Sequence, residues 1–143
     1  MREPIFVIVG SRKLRSAPAR TLGLLANLPE HVVVGLRSPV EDDPGIFERI
    51  VAQVSKALGM KVKWYSPEGP GREATYHRDV RMVREASCVL AFFAEDEMTG
   101  GTEHVVEKAI DQMVPVYSYG IRDRMWVLIG SHDPDELWPG FAI

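Results

Sequence analysis

Apolar residues in this chain gather into solid runs rather than alternating with polar ones. The clearest runs cover residues 5–9, 31–35 and 88–93, and a shorter one covers residues 114–117. Solid runs of this kind are typical of strands buried on both faces of a parallel sheet. Residues 61–65 alternate instead, which predicts a strand with one wetter face at or near the sheet edge.

Between the runs, apolar residues recur with the spacing of amphipathic helices. The first three predicted helices cover residues 17–28, the segment from Asp42 or Asp43 as N-cap to Gly59, and residues 73–86. A fourth helix follows the strand at 88–93, and its apolar face is expected to hold Val105, Val106, Ala109, Ile110 and Met113. A last strand is predicted at residues 125–129, after a loop at 120–124.

Alternating strands and helices with short connections predict an α/β fold, a three-layer Rossmann-like sandwich. The expected sheet is mostly parallel, with about five strands in the order 3-2-1-4-5. Residues 1–143 form a single domain in this interpretation. In that strand order the turns after the first and fourth strands face each other across one crevice, where ligands of such folds bind.

Both of these turns carry residues suited to an anion. Gly10, Ser11 and Arg12 follow the first strand. Gly100, Gly101 and Thr102 precede the fourth helix, whose N-terminus carries partial positive charge. The alternative interpretations are solvated loop charge at the first turn and a plain strand–helix connection with Thr102 as N-cap at the second.

Composition and charge limit the classes of function that this chain can have. The net charge is −3 over 143 residues, with both signs mixed along the chain, which argues against non-specific binding to nucleic acid. The single cysteine, Cys88, lies in an apolar run and is predicted to be a buried structural thiol. No segment is long enough to span a membrane and no secretory signal is recognisable, so a cytoplasmic location is expected.

No metal site or cofactor is predicted from the sequence. The four histidines show no ligand spacing with one another or with Cys88. They are His31, His77, His104 and His132.

Four short motifs, in this order, resemble the YspA-like branch of the SLOG superfamily of Rossmann-like nucleotide-binding proteins, which also includes DprA and the LOG phosphoribohydrolases. The motifs lie at residues 10–12, 76–82, 91–92 and 101–102, and the resemblance covers roughly residues 5–119. It implies binding of a nucleotide, or a nucleotide- or ADP-ribose-derived molecule, in the crevice. The implied contacts are Gly10, Ser11, Arg12, Gly100, Gly101 and Thr102, with Arg78 and Asp79 beside them.

Two departures from the family pattern concern its acidic residues. Phe47 occupies the position where an acidic side chain is expected after the second strand. Val105 occupies the position of the catalytic glutamate of the LOG enzymes. The resemblance therefore favours a binding module, in which Arg12 or Arg78 clamps a phosphate and Phe93 or Tyr76 stacks against a base. Many SLOG-like proteins pair, which implies a homodimer.

An alternative function is an N-glycoside hydrolase or transferase acting on nucleosides or nucleotides. Asp96 or Glu103 would supply the carboxylate, and His77 or His104 the acid that protonates the leaving base. The acidic residues 95–97 are equally compatible with a solvated loop. A DNA-associated adaptor is disfavoured because the chain is acidic overall and lacks a basic stripe.

Overall fold

The computed structural model describes residues 3–14, 23, 25–28, 31–40, 44–94, 100–122 and 125–133. Its strands are β1 (Ile5–Gly10), β2 (Val33–Arg37), β3 (Lys61–Tyr65), β4 (Cys88–Phe92), β5 (Val116–Arg122) and β6 (Met125–His132). Its helices with described bounds are α1 (Ile46–Ala57), α2 (Arg72–Glu85) and α3 (Gly100–Asp111). Strands and helices alternate from β2 to β5, as the apolar runs predict.

One sheet holds all six described strands, in the order β3-β2-β1-β4-β5-β6. This order confirms the predicted order of the first five strands and the edge position of β3. The pairings from β3 to β5 are all parallel, as predicted. The sixth strand extends the sheet beyond the expected five, and it pairs antiparallel to β5 up to the facing residues Arg122 and Met125. A connection this short can join only antiparallel neighbours. The predicted loop at 120–124 is therefore partly strand.

Helices cover both faces of the sheet and create two apolar layers. On one face, Phe47 and Val51 of α1 pack in a cluster with Phe6, Ile8 and Leu90 of the sheet. The other face packs against α2 and α3, and its cluster includes Val7, Val9, Val89, Met82, Val83, Val105 and Val106. The three-layer Rossmann-like sandwich is thus confirmed.

Cys88 lies at the start of β4 and is fully buried, as predicted. Burial raises the pKa of its thiol to about 12, and the nearby Asp133 adds to the effect. The thiolate form, which is the reactive one, is therefore scarce in the native protein at neutral pH.

The helix starts differ from the predictions. Helix α1 has Gly45 at its N-cap position, with φ 61°, rather than an aspartate. Helix α3 begins at Gly100, so Thr102 lies inside its first turn and is not the N-cap. Within the described residues, no helix is both long enough and apolar enough to cross a membrane.

The predicted apolar face of α3 is only partly buried. Val105, Val106 and Ala109 are buried, but Ile110 and Met113 are 40% and 62% exposed. Both exposed residues lie at the end of the helix or beyond it, because α3 stops at Asp111. The predicted helix at 17–28 lies largely outside the described residues, as do Asp42, Asp43 and the tail from residue 134.

Register brings the ends of the two central strands together. Gly10 of β1 pairs with Phe92 of β4, and the next amide, that of Ser11, donates to the Phe92 carbonyl at 2.9 Å. The carboxyl ends of β1 and β4 therefore meet at one edge of the sheet, and the chain leaves them in different directions. This is the switch point at which doubly wound sheets bind ligands.

Candidate functional site

A cavity of about 560 Å³ opens at the carboxyl edge of the sheet. The turn after β1, the end of β2, helix α2 and the first turn of α3 all contribute to its walls. The residues predicted from the sequence that line it are Ser11, Arg12, Tyr76, Arg78, Asp79, Gly101, Thr102 and His104. The two turns that the sequence singles out are therefore neighbours around one cavity.

The other predicted site residues lie elsewhere. Gly10 is not part of the cavity wall, and its carbonyl accepts a hydrogen bond from Arg37. Gly100 opens α3 beside the lining residue Gly101. Glu103 does not line the cavity, and Asp96 lies outside the described residues.

Arg37, the last residue of β2, connects the two turns. Its Nη2 donates to the Gly10 carbonyl at 2.7 Å, to Glu48 Oε1 at 3.1 Å and to Thr102 Oγ1 at 3.2 Å. The side chain is buried, so these bonds form away from competing water. Arg37 thereby fixes the end of β1 against the first turn of α3.

Glu48 of α1 completes this network from the opposite side. It is buried, and its Oε1 accepts from the Gly10 amide at 3.0 Å as well as from Arg37. The neighbouring Phe47 ring packs so closely on Gly10 that a Cβ atom there would overlap it. Glycine is thus required at this turn by close approach.

A second buried ion pair lies across the cavity on α2. Arg78 Nε donates to Asp79 Oδ1 at 2.8 Å, and Arg78 Nη1 reaches the Ser38 carbonyl at 3.5 Å. Both partners are buried. Burial lowers the pKa of Arg78, and the positive charge of Arg37 lowers it further, while Asp79 opposes both effects. The two guanidinium groups are therefore close enough to interact.

His104 of α3 contacts the other oxygen of Asp79. Its Nδ1 lies 3.4 Å from Asp79 Oδ2, and the ring lines the cavity. Tyr76 of α2 packs on the imidazole with 4.4 Å between ring centroids. Lys108 also contacts the Tyr76 ring, with its Nζ 5.3 Å from the ring centroid. Aromatic rings therefore form this end of the cavity, whereas guanidinium groups line other parts of its wall.

Basic side chains predominate in the described part of the lining. Among the described residues, five basic side chains line the cavity, namely Arg12, Lys13, Arg37, Arg72 and Arg78, against one carboxylate, Asp79. The chain as a whole carries a net charge of −3. Basic side chains grouped in this way attract anions.

A second cavity of about 500 Å³ adjoins the first. The two share Arg12, Val40, Arg72 and Thr75, and the turn that precedes α2 forms the outer wall of the second one. A ligand held at Arg12 and Arg72 thus has room on both sides.

Arg37 and Glu48 are site residues that sequence reasoning missed. The sequence predicts a polar loop at residues 36–43, and this prediction puts Arg37 outside the strand. In the structure β2 runs to Arg37, two residues beyond the predicted end. The signal that could have found it is a basic residue directly after an apolar run, at the carboxyl end of a strand adjacent to β1.

Among the described residues, no group of three or more His, Cys, Asp or Glu side chains is arranged to hold a metal ion. Comparison of the chain with protein-family models, curated proteins and solved structures gave no match.

Proposed function

We propose that this protein binds a nucleotide or nucleotide-derived small molecule through its phosphate and ribose in the cavity between the turns after β1 and β4. The observation that carries the proposal is that, among the described residues, five basic side chains and one carboxylate line the cavity. Guanidinium groups suit phosphate oxygens because they offer several donors in a fixed plane. The cavity volume of about 560 Å³ is that of a small-molecule site.

The first turn of α3 supports the same ligand chemistry. The opening amides of an α-helix lack intrahelical acceptors, and Gly101 places this turn at the cavity wall without a side chain. Ser11 and Arg12 lie opposite, on the turn after β1. A phosphate between these two turns would receive charge-assisted hydrogen bonds from both.

The aromatic contact of the proposed site is Tyr76. It lines the cavity and is 42% exposed, so its ring is available to a base. Phe93, the other candidate from the sequence, is fully buried in the core between the sheet and α2 and α3.

The same geometry bears on the proposed family. Residues 10–12, 78–79 and 101–102, which carry the resemblance to the SLOG superfamily, converge around one cavity although they are far apart in sequence. This convergence supports membership of the YspA-like branch. A homodimer and a cytoplasmic location belong to the same proposal, and light scattering after size exclusion tests the dimer.

Cleavage of an N-glycosidic bond has less support. Within the described residues the one carboxylate in the cavity lining is Asp79, and it is held by Arg78 and His104. His77 is exposed and pairs with Glu73 instead. A free carboxylate at the anomeric carbon, which that chemistry requires, has no described candidate in the lining.

A binding screen tests the proposal. AMP, ATP, NAD, ADP-ribose and inorganic phosphate are titrated by isothermal calorimetry and thermal shift, and a ligand at a hundred times its Kd adds about 2.7 kcal/mol to the free energy of unfolding. Arg12→Ala should make the binding free energy of the nucleotide less favourable by about 1.5–3 kcal/mol, which is the contribution of a hydrogen bond to a charged group. Lys61→Ala is the matched control, because Lys61 lies at the far edge strand in an exposed pair with Glu3.

The proposal fails if none of these anions binds saturably, or if Arg12→Ala and Lys61→Ala behave alike. Mass spectrometry of the incubated nucleotides checks for turnover. Release of free base would favour the N-glycoside alternative over pure binding.

A further inference from the structure

One polar atom in the cavity corner has no partner. Among the described residues, no group forms a hydrogen bond with Nε2 of His104, and this atom is shielded from solvent. The ring itself lines the cavity. Buried polar atoms in native proteins are nearly always bonded, so an unpaired nitrogen of a cavity-lining ring is a position at which a ligand group could complete the bonding.

Asp79 determines which chemistry Nε2 offers. In the neutral imidazole one nitrogen carries the proton and the other carries a lone pair. Nδ1 faces the Asp79 carboxylate at 3.4 Å, which favours the proton on Nδ1. In that tautomer Nε2 is a hydrogen-bond acceptor.

An acceptor here restricts the ligand. The dianionic phosphate group of a nucleotide carries no proton, so it satisfies the arginines but does not donate to Nε2 of His104. The ligand must therefore combine an anionic group with an O–H or N–H group a short distance away. A sugar phosphate has this combination, because its hydroxyl groups lie close to the phosphate.

We propose that His104 binds a ribose hydroxyl of the ligand and that the cavity thereby selects ribonucleotides over nucleotides that lack both ribose hydroxyls. The inference rests on the proposed function and specifies the sugar. Tyr76 lies across the imidazole ring and is 42% exposed. Because Nε2 is shielded from solvent, its bonding to a ligand requires neighbouring side chains to shift, and the exposed Tyr76 ring has room to move.

The experiment compares AMP with 2′,3′-dideoxyadenosine 5′-monophosphate by isothermal calorimetry, with inorganic phosphate as a third ligand. The native protein should bind AMP about tenfold more tightly than the dideoxy form, the effect of one hydrogen bond. His104→Phe keeps a ring against Tyr76 but has no nitrogen, so it should bind both nucleotides with the weaker affinity. Phosphate binding should stay within about twofold of the native value.

Two further variants separate a contact from a structural effect. His104→Gln can place an amide near the position of Nε2 and should restore part of the preference for AMP. His77→Phe is the matched control on α2, because His77 is exposed, lies outside the cavity and pairs with Glu73. It should leave the preference unchanged.

Equal affinity of the native protein for the two nucleotides overturns the inference, as does a full preference in His104→Phe. In both cases binding of AMP and phosphate would leave the proposed function standing. If neither AMP nor phosphate binds, the proposed function fails and the inference fails with it.

Discussion

Two buried arginine–carboxylate pairs at the cavity, Arg37 with Glu48 and Arg78 with Asp79, differ in how many elements of the fold they connect. Arg37 with Glu48 and Arg78 with Asp79 are all less than a tenth exposed. Nη2 of Arg37 has three acceptors on three elements. Arg78 pairs mainly with its own sequence neighbour, and the chain of contacts ends at the unpaired Nε2 of His104.

The two pairs differ in which parts of the fold they connect. Both pairs pay the cost of removing charge from water, so burial of charge does not by itself mark a binding site. The Arg37 network joins the end of β1 to α1 and to the first turn of α3. The Arg78 network leads through Asp79 to His104 at the cavity wall. The elements that each pair joins, rather than its burial, are what distinguish the two.

The largest effect is expected from Arg37→Met. The change leaves Glu48 charged, buried and without its partner, which should lower the free energy of unfolding by about 3–5 kcal/mol. Urea denaturation measures it. Lys61→Met removes an exposed pair with Glu3 and should cost less than about 1 kcal/mol.

A second substitution tests the cause of that loss. Glu48→Gln added to Arg37→Met removes the lone charge but keeps an oxygen for the Gly10 amide. The double variant should therefore be more stable than Arg37→Met by about 1–3 kcal/mol. A double variant no more stable than Arg37→Met would show that the charge of Glu48 is not what destabilises it.

Arg78→Met should cost less, about 1–3 kcal/mol, because Asp79 keeps His104 as a neighbour. Urea denaturation measures the loss. Arg78→Met/His104→Phe removes both neighbours of Asp79 and should be less stable than Arg78→Met.

Gly10→Ala should destabilise the protein by about 1–3 kcal/mol through overpacking. The added Cβ would overlap the Phe47 ring, which is itself buried against Phe92. Gly130→Ala is the control, because a Cβ there meets nothing within 4 Å. Equal melting temperatures for the two variants would contradict the close packing of Phe47 on the turn.

The smallest effect is expected from Thr102→Val, about 0.5–1.5 kcal/mol. The change keeps the shape of the side chain but removes the acceptor for Arg37 Nη2. Because Nη2 retains Gly10 and Glu48, the network should survive. Thr102→Ser keeps the hydroxyl group and should have a stability close to that of the native protein. Thermal melts of the native protein and the two variants measure the difference.

The sheet could be read from the sequence because its strands are solid apolar runs. Buried parallel strands need apolar residues on both faces, and this leaves a strong local signal in residues 5–9 and 88–93. The sequence does not predict that β6 joins the sheet antiparallel to β5, because the connection between them lacks the residues typical of a tight turn. The ends of some strands also differ from the prediction, as at β2, which ends at Arg37.

The site was partly readable for the same reason. Once strand order is known, the turns at Ser11 and Thr102 must meet, and they do. The contributions of Arg37 and Glu48 could not be read, because a basic residue at a strand end and an acidic residue in a helix are ordinary in sequence. Their importance lies in contacts 27 and 38 residues distant from Gly10.

The buried thiol at the start of β4 should not react with thiol-directed labels in the folded protein. Cys88 is the single cysteine of the chain, it is fully enclosed, and burial raises its pKa to about 12. A maleimide probe can therefore be attached to a new cysteine at the cavity rim, such as Lys13→Cys, without first removing the native one. The fluorescence of such a probe would report ligand entry directly in the otherwise unaltered chain.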